Sequence, residues 1–421
     1  MLTSPAFATF TVTAERFAGA DRYATSAAVS AATYTTATDI VIASGENFPD
    51  GLSAAALAGQ LSAPVLLVPR GGALPDAIKT EMERLGATRG TIVGGTASVS
   101  REIATQIEDE GLFIARLAGV DRYETAHAVA DAITSIGTDD GLTTAFVASG
   151  EDYPDALAAS APSSAGQHPI ILTESVRLSA AAAKALTDND IERVIIMGGT
   201  GAVTEVVEAS IAALDITVER IGGINRYETA TDLAAYITND FDFDFDVDGI
   251  VVATGLGFPD ALSAGPFADT RKMPIVFSEG ALSEEYVRVR NDTIDDILIA
   301  GGTAHIPDAR RDALILAATP PDTTPPVITA SVAESGEETV TFTANEPLDI
   351  ETTAISDFTV TGGNTQPGVL GFLLSVDGLS ITVTLNGPLV DDNVVTLNAH
   401  SVEDLFDNRG PVDDVPTEPA S

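Results

Sequence analysis

The 421-residue sequence contains no cysteine, and only three of its 21 basic residues are lysines. The absence of cysteine excludes disulfides, thiolate metal sites and cysteine nucleophiles. No apolar run reaches the ~18 residues that a membrane-spanning helix requires. The first 13 residues have neither a basic start nor a long apolar segment, so they form no intact signal peptide, although Ala6-Phe7-Ala8 suits the end of a removed one.

Positive charge is scarce throughout, because 21 Lys and Arg stand against 62 Asp and Glu, which gives a formal net charge of −41. Affinity for nucleic acid comes mostly from cations, so this balance argues against a general nucleic-acid binder. It also argues against docking onto an anionic membrane surface. Two interpretations of the acidity stay open: a solvated surface suited to salty surroundings, or the binding of divalent cations.

What the sequence does contain is a repeat of about 100 residues. One segment occurs three times, as ERFAGADRYATSA at 15–27, IARLAGVDRYETA at 114–126 and ERIGGINRYETAT at 219–231. A Pro-Asp-x-Leu motif recurs with its aspartates 105 residues apart, at Asp50, Asp155 and Asp260. A Gly-Gly-Thr triplet recurs in the same order, starting at Gly94, Gly198 and Gly301. These motifs indicate a tandem repeat of one small domain.

Each repeat alternates short apolar strands with helices, the pattern of a parallel sheet covered on both faces. The repeats are therefore predicted to be small α/β modules at 13–112, 113–216 and 217–319. Polar residues before the first helix of each repeat are predicted caps, namely Asp21, Asp121 with Glu124, and Asn225 with Glu228. Loops at the strand carboxyl ends line the crevice of such sheets. Here those loops are 44–50 with 94–96, 149–155 with 198–200, and 254–260 with 301–303.

The composition changes after residue 319. Residues 320–326, PPDTTPP, are predicted to form a stiff linker. Beyond it, Val- and Thr-rich strands with period-two alternation predict an antiparallel β-sandwich at 327–412. The acidic, Pro-containing residues 413–421 are predicted to be a frayed tail.

The recurring polar residues are candidates for binding a polymer. Arginine forks suit carboxylate or phosphate, tyrosines can stack on sugars, and the aspartates and threonines can hydrogen-bond at the crevice. Structural alternatives stay open: the arginines pair with acids between modules, the tyrosines pack, and the aspartates cap helices. The candidate residues are Arg16, Arg22, Tyr23, Asp50, Thr96, Arg116, Arg122, Tyr123, Asp155, Thr200, Arg220, Arg226, Tyr227, Asp260 and Thr303.

No motif predicts catalysis or a required cofactor. Gly-Gly-Thr lacks the lysine of a P-loop, the four histidines fall at non-equivalent positions, and no Ser-His-Asp set recurs. The acidic run DFDFDFDVDG at 240–249 occurs only in repeat three. Its residues Asp244, Asp246 and Asp248 match the start of a calcium loop, but the twelfth position is Gly255 instead of Glu. Calcium binding and a solvated insertion both stay open.

The RYxTA segment, the FPDALSA-like core, the strand opened by proline and the Gly-Gly-Thr strand end resemble the cell wall binding repeat type 2 modules of bacterial surface proteins. The resemblance covers roughly 13–319. It implies flavodoxin-like or Toprim-like modules in a pseudo-threefold arrangement, in a secreted protein anchored non-covalently to an anionic wall polysaccharide or teichoic-type polymer. The C-terminal segment, with TANEPLD and VEDLFDNRG, resembles bacterial Ig-like modules of surface-layer proteins.

We therefore expect an extracellular cell-surface protein that is no enzyme and binds an envelope polymer. The alternative is a structural component of a surface layer, an appendage or a virion, whose modules serve self-assembly instead of polymer binding. The repeats also depart from one another. Repeat three has Leu256-Gly257 where the others have Glu46-Asn47 and Glu151-Asp152, and repeat one has Ala24 where the others have glutamate. If the glutamate contributes to binding, the three sites are not equivalent.

Overall fold

The computed structural model describes residues 11–417 apart from 153, 240–244, 321–325, 331–335, 347, 350–353, 363, 376–378, 391, 399–401, 405–408 and 411–414. Ala6-Phe7-Ala8, Asp244, most of the predicted linker and most of the predicted tail lie outside the described residues. The chain divides into two compact units, Met1–Pro320 and Pro321–Ser421. Among the described residues, no helix is long and apolar enough to cross a membrane.

The first unit contains three α/β modules. The elements of the first repeat are β1 Thr13–Phe17, α1 Arg22–Thr33, β2 Asp39–Ser44, α2 Phe48–Gly51, α3 Ala54–Leu61, β3 Val65–Val68, α4 Asp76–Leu85, β4 Arg89–Val93 and α5 Arg101–Asp109. Those of the second are β5 Phe113–Leu117, α6 Arg122–Ala132, β6 Thr138–Asp139, β7 Leu142–Ser149, α7 Pro154–Ala158, α8 Ser160–Gly166, β8 Ile170–Thr173, α9 Ala180–Asp188, β9 Arg193–Met197 and α10 Glu205–Ala212. Those of the third are β10 Thr217–Ile221, α11 Arg226–Asn239, β11 Gly249–Ala253, α12 Phe258–Arg271, β12 Ile275–Phe277, α13 Ala281–Arg288, β13 Asp296–Ala300 and α14 Asp308–Ala318.

Local sequence explains the helix ends. Asp21 caps α1 by accepting bonds from the amides of Tyr23 and Ala24 at 2.9 and 2.8 Å. Asp121 caps α6 in the same way, and Asn225 caps α11, so the predicted caps are confirmed. The predicted reciprocal bond is shifted by one residue, because Glu124 accepts from the amide of Val120 and not from that of Asp121. This bond still satisfies an amide next to the helix start.

Each module is built on a four-stranded parallel sheet, and the strand order in the first is β3-β2-β4-β5. The second module repeats it as β8-β7-β9-β10, with β6 added antiparallel to β7. The third repeats it as β12-β11-β13-β1. This order is that of a flavodoxin-like sheet. The predicted α/β fold of the modules is therefore confirmed.

The modules exchange strands around a closed circuit. Each sequence repeat opens with a strand that pairs in the sheet of another module: β5 joins the first sheet, β10 the second, and β1 the third. These five-residue strands, which carry Arg16, Arg116 and Arg220, were not among the predicted elements. The boundaries predicted at 113 and 217 mark the starts of the sequence repeats and stay predictions. The sheets extend past them, because β5 and β10 pair in the sheet of the preceding module. The exchange produces the pseudo-threefold arrangement.

One hydrophobic core cluster joins all three modules at the centre. The helices α3, α8 and α12 pack pairwise there, and Leu57, Ala161 and Leu262 on them belong to a single cluster. Gly59 permits the closest approach, because a Cβ on it would lie 2.0 Å from the carbonyl oxygen of Ser164. Each module also has its own peripheral core on the outer face of its sheet.

The second unit is an antiparallel β-sandwich. Its elements are β14 Ile328–Ala330, β15 Thr339–Ala344, β16 Leu348–Asp349, a 3₁₀ turn Ile355–Asp357, β17 Phe358–Thr361, β18 Val369–Leu374, β19 Ser380–Leu385, β20 Val394–Leu397, β21 Val402–Asp404, β22 Arg409–Gly410 and β23 Val415–Pro416. The sheet β14-β15-β19-β18 and the sheet β17-β20-β23 share one core around Phe342 and Phe358. Inward Val, Ile and Phe alternate with outward Thr, as the period-two pattern predicted.

Candidate functional site

Three similar clefts lie at the carboxyl ends of the strands, one at each seam between modules. Each is formed by the Pro-Asp turn and the Gly-Gly-Thr loop of one module and by the capped helix start of the next. We call them the first cleft (between modules one and two, about 390 Å³), the second (two and three, about 340 Å³) and the third (three and one, about 500 Å³). Their position matches the crevice expected beside the point where strand order reverses.

The Pro-Asp carboxylates form the floor of the clefts. Each aspartate lies in the first turn of a helix and faces the first glycine of Gly-Gly-Thr. That glycine has positive φ in all three modules, and a Cβ on Gly198 would lie 2.3 Å from Asp155 Oδ2. Asp50 and Asp260 lie inside the first turn of their helices, whose N-cap positions are Asn47 and Gly257, so among the described residues these two do not occupy the cap position. Instead, Asp50 accepts a hydrogen bond from Ser98 Oγ.

The arginines of the RYxTA segments line the clefts. Arg22, Arg122 and Arg226 each donate through Nη1 to a glycine carbonyl oxygen in the loop after β2, β7 or β11 of their own repeat, namely that of Gly45, Gly150 and Gly255. One edge of each guanidinium therefore holds the loop that carries the aspartate. Arg226 also approaches Asp152, with 3.7 Å between Nη2 and Oδ2. Arg122 lies over the ring of Phe48, 5.8 Å from its centroid.

The second arginine series has a different place. Arg16, Arg116 and Arg220 lie on the exchanged strands and donate to the carbonyl oxygens of Gly301, Gly94 and Gly198 at 2.7–2.8 Å. Two of them also form ion pairs, Arg16 with Asp308 at 3.3 Å and Arg220 with Glu208 at 2.6 Å. Burial lowers the pKa of Arg116, and the nearby Arg101 lowers it further. None of the three is among the lining residues of the clefts.

The three tyrosines are partly buried and pack against the central core. The hydroxyl of Tyr23 donates to Glu46 at 3.2 Å, and burial together with that carboxylate raises the pKa of Tyr23 to about 12. Burial also raises the pKa of Tyr123. The described lining of the clefts includes neither of these tyrosines nor Tyr227. The structural alternative of packing thus accounts for their positions.

The remaining candidates divide between cleft and surface. Thr96 lines the first cleft, whereas Thr200 and Thr303 are exposed beside glycines that line the other two. Asp246 and Asp248 lie just before β11, where the backbone amide of Asp246 donates to Lys272 and the Asp248 carbonyl accepts from Asp295 and Asp296. Among the described residues, no group of three or more acidic or histidine side chains is arranged to hold a metal ion.

One cleft residue escaped the sequence analysis. His305 lines the third cleft and occupies the position that Ser98 and Ala202 occupy after the other Gly-Gly-Thr triplets. Its counterparts are not histidine, so a search for recurring histidines passes over it. Aligning the three Gly-Gly-Thr triplets would have revealed it, because His305 then stands opposite Ser98 and Ala202.

Comparison with known proteins agrees with this architecture. The sequence profile of the family described as cell wall binding domain 2 (CWB2) matches residues 16–104, 116–208 and 220–310. The N-acetylmuramoyl-L-alanine amidase LytC of Bacillus subtilis (strain 168) is 29% identical over 291 residues, which cover 69% of this chain and 55% of the relative. The amidase enhancer of the same organism is 27% identical over 62% of this chain and 34% of the relative. The chain thus spans about half or less of the length of these relatives.

Two solved structures have similar folds. Cwp8 from Clostridium difficile has a TM-score of 0.63 and 28% sequence identity, over 72% of this chain and 51% of that chain. Cwp6 from the same organism has a TM-score of 0.65 over 78% of this chain and 52% of that chain, and at 24% identity this likeness concerns the fold alone. The module architecture is therefore shared with other proteins.

Proposed function

Because the chain belongs to the cell wall binding domain 2 family, its location is the cell wall or cell surface, and we propose that its three modules hold it non-covalently to an anionic secondary cell wall polymer. One observation carries the proposal: three similar clefts open at the strand carboxyl ends of a ring whose modules share a core. A polymer presents the same unit many times. Linked weak sites on one chain therefore gain affinity through effective concentration.

The clefts also offer chemistry for an anion despite the acidic surface. Each contains an arginine and the amino end of a capped helix, where the helix dipole favours negative charge. Each also contains an aspartate, an acceptor for sugar hydroxyls. The overall charge of −41 repels a polyanion at long range, so we expect binding to strengthen as salt screens charges farther apart than about 10 Å at 0.1 M.

Exposed residues at the cleft rims allow a test that leaves the fold intact. Val120 and Ile224 are 88% and 93% exposed, and Ala20 is their counterpart in the third cleft. We expect the triple variant Ala20→Glu, Val120→Glu, Ile224→Glu to lose retention on purified, deproteinised walls by at least tenfold. Co-sedimentation of the full chain measures it.

A matched control carries the same kind of change elsewhere. Phe113 and Val289 are 81% and 63% exposed. Phe113 begins β5 and Val289 caps the carboxyl end of α13, and neither is among the residues that line the clefts. Phe113→Glu with Val289→Glu should bind like the unmodified chain. Equal retention of the cleft variant and the control would refute binding through the clefts.

A second candidate function is assembly, in a surface layer or an appendage. It is favoured by the edge strand β18 of the sandwich, where Leu370 and Leu373 are 61% and 74% exposed. Uncharged edge strands with exposed apolar side chains readily pair with other chains. If this candidate is right, Leu373→Lys should abolish self-association in sedimentation velocity experiments while wall binding persists.

We also propose that the sandwich is a bacterial Ig-like module.

We propose that this stretch binds and does not hydrolyse wall material. The Bacillus subtilis relative is named as an amidase, but the match covers only 55% of its length. The three clefts contain carboxylates and arginines, and only the third adds a histidine, so no acid–base arrangement recurs in their described lining. Release of soluble wall fragments by the purified chain would contradict this part of the proposal. We assign calcium no required role, and a chelator arm in the wall assay tests that.

A further inference from the structure

The three clefts are not equivalent, and the differences concentrate in one of them. Repeat one has Ala24 where the other repeats have glutamate. Repeat three has Leu256-Gly257 where the other repeats have a glutamate followed by Asn47 or Asp152. These departures lie more than 200 residues apart in the sequence. Because α1 follows β1, which completes the third sheet, both departures meet at the third cleft. Changes that seem independent in the sequence therefore alter a single site.

The first departure removes a carboxylate from the rim. In the other two clefts, Glu124 accepts from the amide of Val120 at 3.0 Å and Glu228 accepts from the amide of Ile224 at 2.7 Å. Ala24 provides no such carboxylate for the amide of Ala20. The third cleft thus keeps its rim amide and lacks the negative charge that covers the equivalent amide elsewhere. Both changes favour an anionic ligand.

The second departure changes the surroundings of the arginine. Arg226 in the second cleft faces Asp152, the residue equivalent to Gly257. Arg122 in the first cleft lies over Phe48. Arg22 is exposed, lines the third cleft and forms no ion pair with a described residue. After its bond to Gly45, the rest of its guanidinium fork is available to a ligand.

The floor of the third cleft contains a buried carboxylate that no described residue hydrogen-bonds. Asp260 is only 7% exposed and lines the cleft. In contrast, Asp50 accepts from Ser98 Oγ, and the nearby Thr229 hydroxyl lowers the pKa of Asp155. Buried carboxylates ordinarily have donors. A donor for Asp260 is therefore expected from the ligand.

Electrostatics separate Asp260 from its counterpart. Burial raises the pKa of both Asp155 and Asp260. An arginine opposes the shift at both, Arg226 at Asp155 and Arg22 at Asp260. The charge of Asp152 raises the pKa of Asp155 further, whereas at Asp260 His305 adds a second lowering charge. The third floor is thus bordered by two basic groups.

The other carboxylates near the third cleft are already engaged. Asp21 lines the cleft but accepts from the amides of α1. Glu279 binds the hydroxyl of Thr254 and the amide of Gly255. The opposite wall is apolar and includes Leu256 and Phe258. At about 500 Å³, the cleft lies within the size range of small-ligand sites.

We propose that the third cleft binds one anionic sugar unit, its phosphate or carboxylate held by Arg22 and His305 and one of its hydroxyls donating to Asp260. The first and second clefts lack this anion specificity, so the chain binds one such unit per molecule. This inference rests on the proposed function. On this proposal, the third cleft selects the polymer, and the first and second clefts add further contacts to it.

Histidine signals provide a direct readout. In the full chain labelled with ¹³C-histidine, we expect glucose 1-phosphate or glucuronate to shift the ring signal of His305, while those of His127 and His168 stay in place. A response to one ligand alone identifies phosphate or carboxylate as the recognised group. Glucose without charge should give no shift at the same concentration. No His305 shift with either anion, or an equal shift with glucose, would overturn the proposal.

Reciprocal variants test why the third cleft differs. Ala24→Glu installs the rim carboxylate of the other clefts at a position where the same backbone already accommodates it, and we expect at least tenfold weaker anion binding. His305→Ser installs the residue of the first cleft and should have a similar effect. Glu124→Ala is the matched control in the first cleft and should leave the affinity at the third unchanged. Equal weakening by Glu124→Ala, or none by Ala24→Glu, would contradict the assignment.

A gain-of-function variant tests the stoichiometry. Ser98→His with Glu124→Ala gives the first cleft two features of the third, and we expect calorimetry to detect a second bound anion. Three equal sites in the unmodified chain would overturn the inference. That outcome is distinguishable from failure of the proposed function, because three equal sites are compatible with wall binding. Failure of the proposed function is instead an unmodified chain that does not bind walls at all.

Discussion

The first and third seams have the same architecture but different chain connections. At the first seam, β5 lies in the sheet of module one and leads directly into α6 of module two. At the third seam, β1 pairs with β13, about 280 residues later in the chain. The same kind of strand pairing therefore joins residues 24 positions apart at the first seam and closes a loop of about 280 residues at the third. The loop-closure entropy makes the third seam the costlier one to form.

This comparison also distinguishes the residues that shape all three clefts from those that give one cleft its own ligand preference. The features shared by the seams are the helix caps, the arginine bonds to glycine carbonyls and the glycines of positive φ that accommodate the aspartates. These features set the shape of the clefts. The third seam differs in Ala24, Leu256 and His305, which set its charge. The seam closed by β1 is thus also the one with distinctive chemistry.

The largest expected effect comes from breaking the third seam. Deletion of residues 1–17 removes β1, the bond from Arg16 to Gly301 and the contact of Phe17 with Phe267, whose ring centroids are 5.1 Å apart. We expect the free energy of unfolding to fall by about 3 kcal/mol or more, because the deletion removes a whole paired strand together with the partly buried Phe17. Hydrogen exchange should accelerate in β13 and not in β4 or β9. Unchanged exchange in β13 would contradict closure by β1.

We also predict that acid destabilises module two before it destabilises the third seam. His168 is fully buried and occurs in module two alone, where modules one and three have Ala63 and Met273. Its Nδ1 lies 3.0 Å from the Thr144 carbonyl oxygen, and burial lowers its pKa to about 4 from 6.5. The folded state therefore resists protonation that the unfolded chain accepts below pH 6.5. Stability is complete above pH 6.5 and is lost as the pH falls towards 4, by about 3 kcal/mol over that window.

The measurement is the free energy of unfolding at several pH values between 7 and 4 for the unmodified chain and for His168→Gln. The variant should show a shallower loss, and exchange in the unmodified chain should accelerate first in β7 and β8. If both proteins lose stability equally, the buried histidine is not the acid-sensitive element. If β13 opens first, the third seam is the weaker point in acid as well.

The smallest predicted effect concerns the rim glutamates. Glu124→Ala removes the bond to the amide of Val120 and should reduce the free energy of unfolding by about 0.5–1 kcal/mol, as the loss of a helix cap does. Ala24→Glu should change stability by a smaller amount and in the stabilising direction. Thermal unfolding of both variants checks this. A destabilising Ala24→Glu would mean that the two rims differ in backbone and not only in charge.

Much of this architecture could be predicted from the sequence. Repeat spacing, apolar strand runs and the caps at Asp21, Asp121 and Asn225 predict the modules and the loops that form the clefts, because these signals are local. The exchanged strands could not be predicted in the same way. They are five residues long, contain charged residues, and pair with partners that no local pattern specifies. Without that pairing, Ala24 and Leu256 cannot be assigned to one site.

The candidate site was predicted in part. Asp50, Asp155 and Asp260 lie in the clefts with Arg22, Arg122 and Arg226, as expected for loops at strand carboxyl ends. The arginines of the exchanged strands and the tyrosines hold modules together or pack against the core instead. A repeated motif marks what all copies need, which includes the scaffold. Specificity is found where the copies differ, and His305 is such a position.

Binding of the full chain to deproteinised walls, measured before and after mild acid removes the secondary polymer, tests the central claim most directly. We predict saturable binding to intact walls and at least tenfold weaker binding to stripped walls. The loss should be reversed when the released polymer is added back as a coating. Binding that is equal on the two wall preparations, or absent from both, would contradict anchoring to the polymer and favour the assembly role.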